Sequence, residues 1–118
     1  MKWVRTISEQ QLKTRLRYVA RIEGMMIQIV YYQDEIFAFD NKCPHWGYPL
    51  TNGRIGKDHS LTCPFHRSAF DFSTGDVTEW SPWPPGFGNL LRTIRRKDVL
   101  PIFQTKVENG YIYVDMAS

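Results

Sequence analysis

The sequence predicts an all-β domain in which an antiparallel framework carries a small, loop-rich subdomain. Aromatic residues make up 14% of the chain, and its eight Gly and seven Pro suit short strands and turns better than a helical bundle. Apolar and polar residues alternate towards both ends of the chain, but this period is lost in the middle. With 118 residues, 42% of them hydrophobic, the chain can support one core. We therefore expect a single domain, residues 1–118, with its subdomain at about 41–75.

The first forty residues predict a strand, a short helix and a three-stranded meander. Residues 3–7 alternate like a strand. Ser8 begins a Ser-Glu-Gln-Gln sequence typical of a helix N-cap, so Glu9 to about Leu16 should be helical. Three further strands, separated by the short turn sequences Glu-Gly and Gln-Asp, are expected at 18–22, 25–32 and 35–40. Such short turns predict antiparallel pairing.

The rest of the chain predicts shorter strands around irregular segments. Strands are expected at 60–63, 69–72, 100–108 and 111–115. Asn109-Gly110 is a strong hairpin-turn signal between the last two of them. Residues 80–88 cannot form regular structure because Pro and Gly recur among them. We expect this loop to pack its Trp residues against the framework; a partner-docking surface is the alternative.

Both cysteines of the chain lie just before a histidine, in Cys43-Pro44-His45 and in Cys63-Pro64-Phe65-His66. Seventeen residues separate the first motif from the second. If the two Cys and three His were placed at random, this arrangement would have a chance of roughly one in four hundred. The Pro after each Cys restricts the backbone, which suits a preorganised metal site.

Two Cys and two His in these motifs could form a disulfide, a zinc site or an iron–sulfur cluster, and the sequence does not favour the three equally. A disulfide between Cys43 and Cys63 would leave both neighbouring His residues unexplained, and the chain has no secretory features. A structural zinc site takes two thiolates and two imidazoles, but zinc modules usually place two Cys before two His. The interleaved order favours a dinuclear iron–sulfur cluster, in which one iron binds both thiolates and the other both imidazoles. A zinc-binding module remains the alternative.

The two motifs resemble the signature of the Rieske [2Fe–2S] domain family. The pattern Cys-x-His-x-Gly at 43–47 and Cys-Pro-x-His at 63–66 carries this resemblance, together with a Phe-Asp-x-x-Thr-Gly stretch at 70–75. Gly53 and Gly56 fall where that family turns between its two ligand motifs. The resemblance implies the Rieske fold and one [2Fe–2S] cluster per chain. It assigns four ligands: Cys43, His45, Cys63 and His66.

The resemblance also implies a protein shell around the cluster, for which the candidates are Trp46, Tyr48, Phe65 and Ser68. Tyr48 and Phe65 occupy the positions at which cytochrome-complex Rieske proteins have two further Cys that form a disulfide beside the cluster, so an aromatic contact is expected there instead. Ser68 matches a residue that donates a hydrogen bond to sulfur, whereas Phe70 replaces a Tyr donor. Fewer donors disfavour the reduced cluster. We therefore predict a reduction potential near the low end of the family range of roughly −150 to +300 mV.

The function that this resemblance implies is that of a soluble ferredoxin, which carries single electrons from a flavin-dependent reductase to a terminal oxygenase or similar enzyme. The chain should not be an enzyme itself. Rieske oxygenases need a second iron site with two His, and His59 is the only His outside the ligand set. We interpret His59 as a surface-loop residue. The alternative function is a non-redox structural or small subunit of a reductase complex.

Charge and hydropathy argue against a nucleic-acid-binding, a membrane-spanning or a secreted protein. The net charge of +3 comes from scattered Lys and Arg, and no basic repeat studded with aromatic residues predicts nucleic-acid binding. The longest apolar stretch, residues 25–32, is too short for a membrane span. The N-terminal residues do not resemble a signal peptide, so a cytoplasmic location is expected.

Overall fold

The computed structural model describes residues 2–42, 49–64, 69–75, 77–79 and 100–117. In this part of the chain, eleven strands form three antiparallel sheets, and there is one short helix besides. This confirms the all-β prediction. The strands are β1 (Trp3–Ser8), β2 (Arg17–Ile22), β3 (Met25–Tyr32), β4 (Glu35–Asp40), β5 (Arg54–Ile55), β6 (Ser60–Thr62), β7 (Ala69–Asp71), β8 (Val77–Glu79), β9 (Ile102–Phe103), β10 (Thr105–Glu108) and β11 (Tyr111–Asp115), and the helix is α1 (Glu9–Arg15).

The chain forms two compact units. The first consists of Met1–Asp40 together with Ile102–Ser118, and the second is Asn41–Pro101. The expectation of one domain with a subdomain at about 41–75 remains a prediction, although the second unit also begins at residue 41.

Two sheets make up the first unit, with strand orders β1-β11-β10 and β2-β3-β4-β9. Alternate side chains of a strand point to opposite faces of its sheet, so the apolar residues of these strands lie on the faces that form the core. The core cluster of this unit comprises Ile7, Leu12, Ala20, Ile22, Ile27, Ile29, Ala38, Ile112 and Val114. The meander β2–β3–β4 begins and ends within one residue of its predicted bounds.

The helix α1 begins at Glu9, directly after its predicted N-cap residue Ser8. The Ser8 hydroxyl oxygen accepts a hydrogen bond from the backbone N–H of Gln11 at 3.2 Å, which satisfies one of the first-turn N–H groups. The helix ends one residue earlier than predicted because Leu16 adopts the left-handed conformation, with φ at 72°. In the described part of the chain, no helix is long and apolar enough to cross a bilayer.

The C-terminal strand predicted at 100–108 is divided in the structure. Its first part, β9, pairs with β4, whereas its second part, β10, pairs with β11 in the other sheet of the unit. Gln104 lies between them, and its carbonyl accepts the N–H of Asp115 at 2.9 Å. Hydropathy alone does not reveal this break because both parts keep the residue types of a strand.

The second unit contains one sheet with strand order β5-β6-β7-β8. The sequence predicts β6 and β7 but not β5 and β8, which are two and three residues long. The strands β5 and β8 depend on their pairing with β6 and β7 rather than on a local pattern. Its buried apolar side chains include Leu50, Leu61, Phe70, Phe72 and Leu100. The predicted irregular loop at 80–88 lies outside the described residues.

Candidate functional site

The first of the two segments predicted to carry ligands, the first ligand segment, comprises residues 43–48 and lies between two paired residues that the structure describes. An antiparallel bridge joins Lys42 to Pro49. Directly beyond this bridge, the N–H of Leu50 donates to the carbonyl of Asn41 at 3.2 Å. Hydrogen bonding therefore holds together the residues on either side of this segment.

The Asn41 side chain strengthens this closure. It is only 5% exposed, and its Nδ2 donates to Thr51 Oγ1 at 2.8 Å. A buried amide of this kind is stabilising only when it is hydrogen-bonded. The sequence does not identify Asn41 as a site residue, because one polar residue at the end of a strand forms no recognisable pattern.

The second ligand segment, residues 63–68, connects β6 to β7. It is enclosed by the antiparallel pair of Thr62 with Ala69, the last pair of that ladder. Cys63 is fully buried at the start of this segment, whereas Pro64 is exposed. Both ligand segments thus have six residues. The two residues that flank each segment, which we call its base, are β-paired.

The eight residues predicted at or around the cluster all belong to these two segments. Cys63 is the one that falls within the described residues. The others lie outside them: Cys43, His45, Trp46, Tyr48, Phe65, His66 and Ser68. Their assignment as ligands or shell residues therefore remains a prediction.

The donor set of the two segments fits an iron–sulfur cluster with mixed ligands. Each segment carries one Cys and one His, which together supply the two thiolates and two imidazoles of a Rieske-type cluster. A metal site needs its ligands held within about 0.5 Å of the correct geometry. The paired residues that flank each segment restrict where the backbone enters and leaves it.

The Phe-Asp-x-x-Thr-Gly stretch forms a tight turn after β7. The Asp71 carboxylate accepts the N–H of Ser73 at 2.8 Å, and the Asp71 carbonyl accepts the N–H of Gly75 at 2.7 Å. Gly75 has a φ of 86°, a left-handed conformation that favours glycine. The Gly75 carbonyl in turn accepts the N–H of Leu100 at 2.8 Å. This part of the motif therefore has a structural role.

His59 lies in the turn between β5 and β6. Both Asp58 and His59 have positive φ, at 57° and 61°. The His59 ring packs edge-on against Phe72 at a centroid distance of 5.6 Å, and the His59 carbonyl accepts the Phe72 N–H at 2.9 Å. The half-buried His59 thus contributes to packing of the turn.

The all-β fold and the two Cys–His motifs define a class of protein, and comparison with known proteins gives this class its name. The model of the Rieske [2Fe–2S] domain family matches residues 2–99. The chain belongs to this family, which confirms the resemblance found in the sequence, and the cofactor of the family is a Rieske-type [2Fe–2S] cluster.

Individual relatives differ in size and role. The chain is 34% identical over 80 residues to apoptosis-inducing factor 3 from Homo sapiens, covering 68% of this chain but only 11% of that protein. It is 25% identical to the ferredoxin component of the naphthalene 1,2-dioxygenase system of Pseudomonas putida, with 64% of this chain and 71% of that protein covered. The solved ferredoxin of carbazole 1,9a-dioxygenase from Nocardioides aromaticivorans IC177 has a TM-score of 0.75 at 23% identity, covering 97% of both chains. This last likeness shows the fold.

Proposed function

We propose that this chain is an electron-transfer ferredoxin, which accepts single electrons from a flavin-dependent reductase and passes them to a terminal oxygenase or similar redox enzyme. The main support is that two short, β-closed segments each carry one Cys and one His. The relative from the naphthalene dioxygenase system is a ferredoxin component and is matched over 71% of its length.

In this proposal, Cys43, His45, Cys63 and His66 hold the cluster, and the cluster supplies one-electron redox chemistry. The oxidised core carries a charge of +2, which two thiolates balance, so the site stays neutral and is easier to reduce than a site with four thiolates. The task of the protein chain is to fix these ligands and to exclude water from the buried Cys63 side. Ser68 would donate to a cluster sulfur and raise the potential.

Two further features support a carrier rather than an oxygenase within these 118 residues. Once His45 and His66 are assigned to the cluster, His59 alone cannot form a second iron site with two His ligands. His59 also contributes to packing of the β5–β6 turn. We place this carrier in the cytoplasm, because a reducing compartment keeps the thiols available as ligands.

The first test is the visible and EPR spectrum of the purified protein before and after addition of dithionite. We expect a red-brown protein that gives a rhombic [2Fe–2S] signal with a low average g value after reduction. In stopped-flow mixing, the reduced protein should then be reoxidised by a terminal oxygenase of the naphthalene dioxygenase type. A colourless protein that contains zinc would contradict the proposal and favour a structural subunit.

Two histidine variants test the ligand assignment with a matched control. His66→Ala should abolish the EPR signal, since it removes a ligand, whereas His59→Ala should retain the signal with unchanged g values. Iron content per chain, measured after anaerobic reconstitution, gives a second readout. If His59→Ala lost the cluster and His66→Ala kept it, the assignment would be wrong.

A further inference from the structure

Gly53 lies in close contact with the bases of both ligand segments. Its N–H donates to the Leu50 carbonyl at 2.9 Å. A Cβ atom at position 53 would lie 2.8 Å from Leu61 Cδ1, 3.0 Å from the Leu50 carbonyl oxygen and 3.1 Å from the Thr62 carbonyl oxygen. These separations are shorter than normal van der Waals contacts to carbon. The buried position of Gly53 therefore has no room for a side chain.

The two backbone oxygens lie beside the bases of different ligand segments. Leu50 directly follows Pro49, the residue that closes the first ligand segment. Thr62 directly precedes Cys63 and closes the second ligand segment through its pair with Ala69. A side chain at position 53 would push on both bases at once, and a backbone carbonyl cannot turn away as a flexible side chain can.

Backbone conformation does not explain why glycine occupies this position. Among the described glycines, those with positive φ are Gly24, Gly75 and Gly110, whereas Gly53 has a backbone that other residues can adopt. The requirement for glycine at position 53 is thus one of space between two loop bases.

We propose that Gly53 is a positioning residue that sets the separation of the two ligand segments. This inference rests on the proposed function, in which the cluster bridges these segments. A shift of a few tenths of an ångström at Leu50 or Thr62 approaches the tolerance of about 0.5 Å that a metal site allows. A methyl group at position 53 therefore alters the ligand geometry without contacting any ligand.

The test compares Gly53→Ala with Gly56→Ala. Gly56 lies in the same unit and also lacks a positive φ, but the nearest atom to its added Cβ is Ser60 Cβ at 3.9 Å, an ordinary contact. We expect Gly53→Ala to shift the EPR g values and to lose its cluster to an iron chelator roughly tenfold faster, the order of effect seen when groups that orient metal ligands are removed. The g values and chelation rate of Gly56→Ala should match those of the wild type.

A second variant separates loop positioning from simple crowding of the core. Adding Leu61→Val to Gly53→Ala removes the contact with Leu61 but leaves both backbone oxygens as close as before. Loop positioning predicts that the double variant keeps the shifted g values, even if Gly53→Ala alone folds poorly. Recovery of the wild-type spectrum and chelation rate in the double variant would overturn the inference, as would a wild-type spectrum in Gly53→Ala. A wild-type protein without a cluster would overturn the proposed function and this inference with it.

Discussion

Asp115 illustrates how one residue ties the two ends of the chain together. The residue is 8% exposed, and its Oδ1 accepts the backbone N–H of Lys2 and that of Ala117, each at 3.0 Å. The hydrogen bond from Lys2 is the largest cause of a lowered pKa for this carboxyl, and the bond from Ala117 adds to it. Both bonds favour the charged form.

The lowered pKa of Asp115 makes stability depend on pH. Because the folded-state pKa lies below the unfolded value of about 3.9, this stabilisation is present above that pH and is lost as the pH falls through the folded-state pKa. We expect Asp115→Asn to be less stable than the wild type at pH 7, with a difference that shrinks below about pH 4. Denaturant unfolding at several pH values measures this difference. Asp115→Ala serves as a control that loses both hydrogen bonds as well as the charge. A difference between wild type and Asp115→Asn that stays constant down to pH 2 would count against this account.

Single residues also explain why only part of the site can be predicted from sequence. Cys63 and His66 are three residues apart, so their pairing is a local signal that spacing reveals. The closeness of an added Cβ at Gly53 to the Thr62 carbonyl depends on the pairing of β5 with β6, which no local period indicates.

At the scale of elements, tight turns with positive φ define the hairpins of the first unit. Asn109 and Gly110 have φ values of 53° and 82°, as a type I′ turn between β10 and β11 requires, and this confirms the turn predicted from the sequence. The Gly110 carbonyl also accepts the N–H of Glu9, in the first turn of α1, at 3.0 Å. This hairpin therefore supports the start of the helix.

Substitution of Gly110 should isolate the cost of the left-handed conformation. A Cβ atom added there would have no neighbouring atom within 4 Å, so steric crowding plays no part. We expect Gly110→Ala to lower the free energy of unfolding by about 1 kcal/mol, and Gly110→Asn to lower it by less, because Asn tolerates positive φ. Denaturant unfolding of both variants measures the effect. Equal losses for Ala and Asn would show that another property of the turn is responsible.

The elements that the sequence predicts well are those whose signals are local. The strands β2, β3 and β4 are each more than five residues long, and short turns separate them clearly. The start of α1 is marked by a cap motif of four residues that begins at Ser8. By contrast, β5 and β9 have two residues each, and each exists because a longer strand beside it supplies hydrogen bonds. Tertiary pairing, not local pattern, determines such strands.

At the scale of the whole molecule, strand pairing closes the two segments that carry the local Cys–His motifs. The Cys–His spacing predicts which residues act together, but the pairs that close the ligand segments become visible only in the structure. The same holds for the two compact units, because the first unit combines residues from both ends of the chain.

Net charge gives the last prediction. The chain carries +3 at pH 7, and a neutral oxidised site leaves this value unchanged, so the reduced protein should carry +2. Anionic ferricyanide should therefore oxidise the reduced protein more slowly as salt is added, whereas cationic hexaammineruthenium(III) should do so faster. The effect should be severalfold as the Debye length falls from roughly 30 Å to roughly 8 Å. Stopped-flow absorbance measures both rates.

In Lys42→Gln, which removes an exposed charge beside Cys43, both salt dependences should weaken. If the oxidation by ferricyanide became faster with salt and that by hexaammineruthenium(III) slower, the charge near the cluster would be negative, unlike that of the whole chain. Salt effects of the same sign for the two oxidants would contradict the electrostatic account.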